Sequence, residues 1–207
     1  MDATELLAPY RVVPVVVIND ASTAVPLAET LVAAGIGVIE VTLRTDAALA
    51  AIEAIAAKVP DMLVGAGSLR TTSQFDDVAN AGAKFGVSPG STTALVKAAK
   101  SRGLPYVPGA ATPSEMLALF EQGIRLQKFF PAEAAGGIPM LKSVASPLPD
   151  VSFMPTGGID VELAKDYLAL PNVAGVGGSW LAPASLVSEA NYDEIGRIAR
   201  DAAKLGV

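Results

Sequence analysis

Lys128 sits in the run Ile124-Arg125-Leu126-Gln127-Lys128-Phe129-Phe130-Pro131, among apolar neighbours. In a strand the side chains alternate between faces, so Leu126 and Lys128 share one. A lysine there, crowded by two phenylalanines, loses water, and desolvation disfavours an ammonium group. A neutral amine can attack a carbonyl and form a Schiff base. The competing assignment is a structural lysine that snorkels to water at a strand end.

The second group is Gly37-Val38-Ile39-Glu40-Val41-Thr42-Leu43-Arg44. Strand parity puts Val38, Glu40, Thr42 and Arg44 on one face and Ile39, Val41 and Leu43 on the other. If helices cover the all-apolar face, Glu40 and Arg44 point inward or to a strand-end rim. A buried carboxylate is expensive unless it is paired or works as an acid or base. A purely structural ion pair, Glu40–Arg44 or Glu40–Lys128, is the competing assignment.

Four glycine-bearing turns complete the candidates. Gly65-Ala66-Gly67-Ser68 allows a ligand near the backbone and offers a hydroxyl, and Val87-Ser88-Pro89-Gly90-Ser91 is mostly turn chemistry. Thr156-Gly157-Gly158 and Gly177-Gly178-Ser179 each follow a strand-like run. Paired glycines expose N–H groups, and a following helix adds the positive end of its dipole. Either Gly-Gly alone is a weak signal; together the last two turns favour phosphate, with plain turns as the competing assignment.

Composition narrows the chemistry. The 207 residues contain no histidine and no cysteine, and carry a net charge of -6. Without histidine, acid–base work falls to carboxylates or lysine, and a His-ligated zinc is excluded. Without cysteine there is neither a disulfide framework nor a thiolate nucleophile. The negative charge argues against nucleic acid and anionic membrane as partners, while a small anion needs only local positive groups. Hydrophobic residues make up 51% and charged residues 17%, which suits a packed core. The acidic start, Met1-Asp2-Ala3-Thr4-Glu5, lacks the basic region of a signal peptide. No apolar run approaches the roughly 20 residues that span a bilayer. A cytoplasmic location is the expectation.

The elements that must position these groups are strands alternating with helices. Strand-like runs fall at 12–18, 38–43, 62–65, 84–87, 105–107, 125–129, 151–154 and 173–176. Ala-rich segments at 24–34, 47–59, 73–81, 92–102 and 114–122 have helical spacing, and 191–205 reads as a closing helix. Gly35, Gly82, Gly103 and Gly123 stand where helices stop. Eight strands alternating with helices predict one α/β domain over 1–207, a compact (β/α)₈ TIM barrel with an N-terminal helix. An open doubly wound sheet fits less well, because Asn19-Asp20-Ala21 follows the first strand where a Gly-rich phosphate loop is expected.

Glu40-Val41-Thr42-Leu43-Arg44, Val64-Gly65-Ala66-Gly67, Ser88-Pro89-Gly90, Lys128-Phe129-Phe130-Pro131-Ala132-Glu133, Pro155-Thr156-Gly157-Gly158-Ile159 and Gly177-Gly178-Ser179-Trp180 occur in that order. Taken together they resemble the 2-keto-3-deoxy-6-phosphogluconate (KDPG) and 2-keto-4-hydroxyglutarate (KHG) aldolase family. The resemblance implies a class I lyase that needs no metal or other cofactor, with pyruvate and a 2-keto-3-deoxy sugar acid phosphate as small-molecule partners. Lys128 would form the Schiff base and Glu40 would be the general acid and base. Arg44, helped by Ser68, would hold the substrate carboxylate. Pro89 and Phe130 would line the pocket. Thr156, Gly157, Gly158, Gly178 and Ser179 would hold the phosphate. The family usually has threonine where this chain has Ser68. It is typically homotrimeric. A phosphogalactonate-type substrate, or a non-catalytic barrel that binds sugar phosphates, is the alternative.

Overall fold

Parallel strands buried on both faces dominate the computed structural model, which describes residues 2–206. The strands are β1 (Val12–Val16), β2 (Val38–Thr42), β3 (Leu63–Gly67), β4 (Gly86–Val87), β5 (Tyr106–Val107), β6 (Gly109–Ala110), β7 (Leu126–Phe129), β8 (Ser152–Pro155) and β9 (Val176–Gly178). Every residue of β1, β2 and β7 is buried. The β1 run is wholly apolar, while β2 and β7 bury Glu40, Thr42, Gln127 and Lys128 among apolar neighbours, and helices on the outside cover the strands.

The helices are α1 (Ala3–Leu7), α2 (Ala24–Ala33), α3 (Ala48–Lys58), α4 (Ser73–Asn80), α5 (Thr93–Arg102), α6 (Pro113–Glu121), α7 (Gly137–Ala145), α8 (Val161–Leu168), α9 (Ala184–Ser188) and α10 (Tyr192–Ala203). The expected N-terminal helix is α1, closed by a reciprocal cap between Asp2 and Glu5. Helices α2 to α6 and α10 lie within two residues of their expected ends, and all four glycine stops have positive φ. The sequence reading passed over α7, α8 and α9. In α7, Gly137 and Pro139 hide the helical pattern, yet proline is tolerated in a first turn, where its missing N–H has no helical partner anyway. Among the described residues, no helix is long and apolar enough to cross a membrane.

The sheet departs from expectation in one respect. All strand pairs are parallel, but they fall into a six-stranded sheet, β5-β4-β3-β2-β1-β9, and a three-stranded sheet, β6-β7-β8. The anticipated fifth strand, 105–107, is met by β5, and a further short strand that was not anticipated, β6, follows directly after Pro108. The first pairs with β4 and the second with β7. Proline donates no N–H, so the ladder breaks there, while its carbonyl still accepts the Lys128 N–H at 2.8 Å. At the other seam, β8 and β9 meet through single bridges, Thr156 with Gly177 and Phe153 with Val173. Eight-strand closure is thus met in part, as an α/β array of parallel strands divided six and three. The last strand also begins later than the predicted 173–176, so Gly177 and Gly178 belong to it. Likewise β3 continues through Gly67 instead of ending at Gly65.

Candidate active site

Lys128, the third residue of β7, and Glu40, the central residue of β2, approach across the interior between the two sheets. The Lys128 Nζ donates to Glu40 Oε1 at 3.2 Å. Their side chains are 7% and 2% exposed, so water contributes little to either group. Nζ also lies 5.5 Å from the centre of the Phe130 ring. The lysine therefore does not snorkel; it ends inside, on a carboxylate. Of the two ion pairs considered from sequence, Glu40–Lys128 forms, and Arg44 makes no ion pair among the described residues.

The pair lies beneath a cavity of about 310 Å³. Arg44, Ser68, Pro89, Lys128, Phe130, Thr156, Gly157, Gly158, Gly178 and Ser179 line it. These are all the residues singled out from sequence except Glu40, which sits one layer deeper, bound to Lys128. Most of them stand at or just past the C-terminal ends of β2, β3, β7, β8 and β9, where one mouth can collect groups from many strands. Val15, Ile159 and Gly177 line it too and were not anticipated. A second hollow of about 240 Å³ lies towards the opposite strand ends, near Asp2, Lys100 and Arg125. Its cations are engaged elsewhere: Lys100 donates to the Gln122 carbonyl at 2.6 Å, and Arg125 stands 3.9 Å from Asp150. Of the two, the cavity above Lys128 is where the residues singled out from sequence converge.

The Gly-Ala-Gly turn works differently from the sequence reading. A Cβ on Gly65 would stand 2.2 Å from the Phe85 ring, and one on Gly67 would stand 2.1 Å from Glu40 Oε1. These glycines make room for the protein's own side chains, not for a ligand. Gly67 is the seat of the Glu40 carboxylate, a role that sequence spacing did not reveal. Ser68 follows in the left-handed region at φ 62°, at a strain on the order of 1 kcal/mol that its neighbours must offset.

The loop after β4 is anchored rather than free. The Tyr106 and Ser88 hydroxyls lie 2.5 Å apart, and Ser88 donates to the Gly90 carbonyl at 2.5 Å. With its single proton spent on Gly90, Ser88 must accept from Tyr106. Burial pushes the Tyr106 hydroxyl up to about 12, against the opposing Ser88 bond, so it remains a donor through the working range of pH. Gly109 lets the Pro89 carbonyl come close, and this carries Pro89 to the cavity wall.

The family model for KDPG and KHG aldolase matches residues 4–198. The chain belongs to this family. A 2-dehydro-3-deoxy-phosphogluconate aldolase of Dickeya dadantii is 48% identical over 200 residues, spanning 97% of this chain and 94% of that protein. Among solved structures, the KDPG aldolase of Legionella pneumophila, with pyruvate captured as a covalent carbinolamine, superposes with a TM-score of 0.95. It is 44% identical, with 98% of each chain covered. The enzyme of Zymomonas mobilis with 3-phosphoglycerate reaches 0.92 at 41% identity, covering 98% of this chain and 95% of that one. KDPG and KHG aldolases are therefore the setting in which this cavity has to be understood.

Proposed function

We propose that the chain is a class I aldolase. It cleaves 2-dehydro-3-deoxy-6-phosphogluconate to pyruvate and glyceraldehyde 3-phosphate. The same residues would cleave 4-hydroxy-2-oxoglutarate to pyruvate and glyoxylate. The observation that carries this reading is the buried Lys128–Glu40 pair under an open cavity. A barrel that merely bound sugar phosphates would have no use for it, since two desolvated charges cost more than an apolar pair of similar volume. The names of the relatives support the substrate, and the carbinolamine reported for the Legionella enzyme supports a covalent amine mechanism.

The bond between Lys128 and Glu40 supports the following steps. Lys128 Nζ, as the free amine, attacks the C2 ketone and gives a carbinolamine. Glu40, bonded to Nζ, takes and returns the protons as water leaves and a protonated imine forms. Glu40 then accepts the C4 hydroxyl proton. The C3–C4 bond breaks, and its electrons form the C2=C3 enamine while the imine nitrogen becomes neutral. Glyceraldehyde 3-phosphate departs. Protonation at C3 regenerates the imine, and water releases pyruvate and Lys128.

Arg44, whose side chain has no partner among the described residues, would hold the substrate carboxylate in a two-pronged bond, with the Ser68 hydroxyl beside it. Pro89 and Phe130 would form the walls. Thr156, Gly157, Gly158, Gly178 and Ser179 would take the phosphate, and 3-phosphoglycerate in the Zymomonas enzyme supports an anion of that kind. In this reading residues 1–207 form one domain. Its two sheets act as a single (β/α)₈ barrel, joined through Pro108 and the Thr156–Gly177 bridge. Assembly as a cytoplasmic homotrimer completes the proposal. The deciding experiment is reduction with borohydride in the presence of pyruvate, followed by peptide mapping. One adduct on Lys128 is expected; a label on another lysine, or none, would overturn the mechanism.

A further inference from the structure

Glu133 and Tyr167 are absent from the chemistry above, yet they meet beside it. Tyr167, on α8, is fully buried, and its hydroxyl donates to Glu133 Oε1 at 2.5 Å. Glu133 lies on the segment that leaves β7, five residues after Lys128. Its backbone N–H donates to the Gly157 carbonyl at 3.2 Å, and the N–H of Ala132 donates to the Thr156 carbonyl at 2.9 Å. Its side chain fills the space that a Cβ on Gly158 would need, with the Glu133 Cβ only 2.9 Å away.

These contacts fix the direction of the neighbouring donors. In a trans peptide the C=O and the following N–H point opposite ways. With the carbonyls of Thr156 and Gly157 turned towards the β7 segment, the N–H groups of Gly157 and Gly158 turn away from it. Both glycines line the cavity, and neither N–H has a partner among the described residues. We infer that the Glu133–Tyr167 hydrogen bond is a positioning brace, which holds the β7 segment against the Gly157–Gly158 turn and aims its free N–H groups at the phosphate of the substrate. This rests on the phosphate reading of the cavity. Burial, with the adjoining Glu133 bond and charge, raises the Tyr167 hydroxyl well above its ordinary value, so it donates throughout the pH range of an assay.

The test compares Tyr167→Phe, Glu133→Ala and Glu133→Gln with the parent on KDPG and on unphosphorylated KHG. Tyr167→Phe keeps the buried ring and removes only the bond. A rise in KM for KDPG of about 10-fold is expected in Tyr167→Phe and Glu133→Ala, the equivalent of one charge-assisted bond misaligned. The kcat on KHG and the rate of borohydride trapping with pyruvate should stay within about 2-fold of the parent. Glu133→Gln, which keeps an acceptor for Tyr167, should restore most of the KM. Equal losses on both substrates would reduce the pair to a folding contact and overturn the inference, as would an unchanged KM for KDPG in a parent that inorganic phosphate inhibits competitively. A parent that phosphate does not inhibit, and that handles KDPG and KHG alike, would overturn the phosphate reading itself and the brace with it.

Discussion

Gly67→Ala should disable the enzyme by displacing the Glu40 carboxylate. The new Cβ would stand 2.1 Å from Glu40 Oε1, and 2.7 Å from both Cδ and Cγ. Ordinary contact at such a carbon starts at 3.4 Å against the 2.1 Å available, so Oε1 must move by about 1.3 Å. A shift of that size either breaks or crushes its 3.2 Å bond to Lys128. Misplacing a catalytic group by about 1 Å costs on the order of 10²-fold in rate. Turnover of KDPG, followed by pyruvate release, should fall by about that factor, with Glu40→Gln setting the floor at roughly 10²–10⁴-fold below the parent. Gly65→Ala is the control. Its Cβ collides with the Phe85 ring and not with Glu40, so it should lower the melting temperature at a cost of about 1–3 kcal/mol. Turnover per folded molecule should survive in that control. A folded Gly67→Ala protein with near-parent turnover would refute the idea that β3 holds the carboxylate in place.

Two further outcomes are expected. Gly157→Ala, at φ 106° and with the Phe130 ring 3.4 Å from the new carbon, should distort the turn. It should lower kcat/KM for KDPG by about 10-fold while sparing KHG, measured side by side; equal losses would argue against a phosphate site there. Glu115 closes the first turn of α6, accepting N–H bonds from Ala111 and Thr112 at 2.9 Å each. The Ala111 bond, with smaller help from Thr112 and against burial, holds its carboxyl below the usual 4.5. A lowered carboxyl stabilises the fold above that value and loses the benefit as pH falls through its own folded value. Denaturant titrations should show Glu115→Gln less stable than the parent at pH 7 by a few tenths of a kcal/mol, since solvent screens this exposed cap, with the gap closing as pH falls below the usual 4.5. A gap that stayed constant with pH would mean that charge plays no part in the cap.

The groups proposed to do the chemistry were legible because each is costly anywhere else. Lys128 in an apolar run and Glu40 on an inward strand face declare themselves through desolvation, and both lie where strand parity put them. The helices were legible where glycine stops ended them. What stayed hidden depends on contacts between distant segments. Glu133 and Tyr167 are 34 residues apart, and although Glu133 closes the Lys128–Glu133 motif, nothing in either run points to the other. Glycines were misleading for a related reason. A bare Cα advertises space, but sequence does not say whether a ligand, the Glu40 carboxylate or the Phe85 ring fills it. Pro108 was equally silent, since a proline that ends one ladder and starts another looks locally like an ordinary extended residue.

The division of the strands makes the Lys128–Glu40 bond a calliper. One jaw is β2 in the larger sheet and the other is β7 in the smaller, with no strand ladder running directly between them. A small parting of the two sheets would leave the ladders within each intact and still open the jaws. With this pair carrying the reaction, activity should be lost on heating before the fold; residual activity and ellipticity followed side by side check it, and coincident transitions would refute it. Stiffening the outer helices would raise the temperature at which the fold is lost without touching that at which activity is lost. The places to reinforce are the two seams, at Pro108 and at the Thr156–Gly177 bridge, because they set the spacing that the calliper measures.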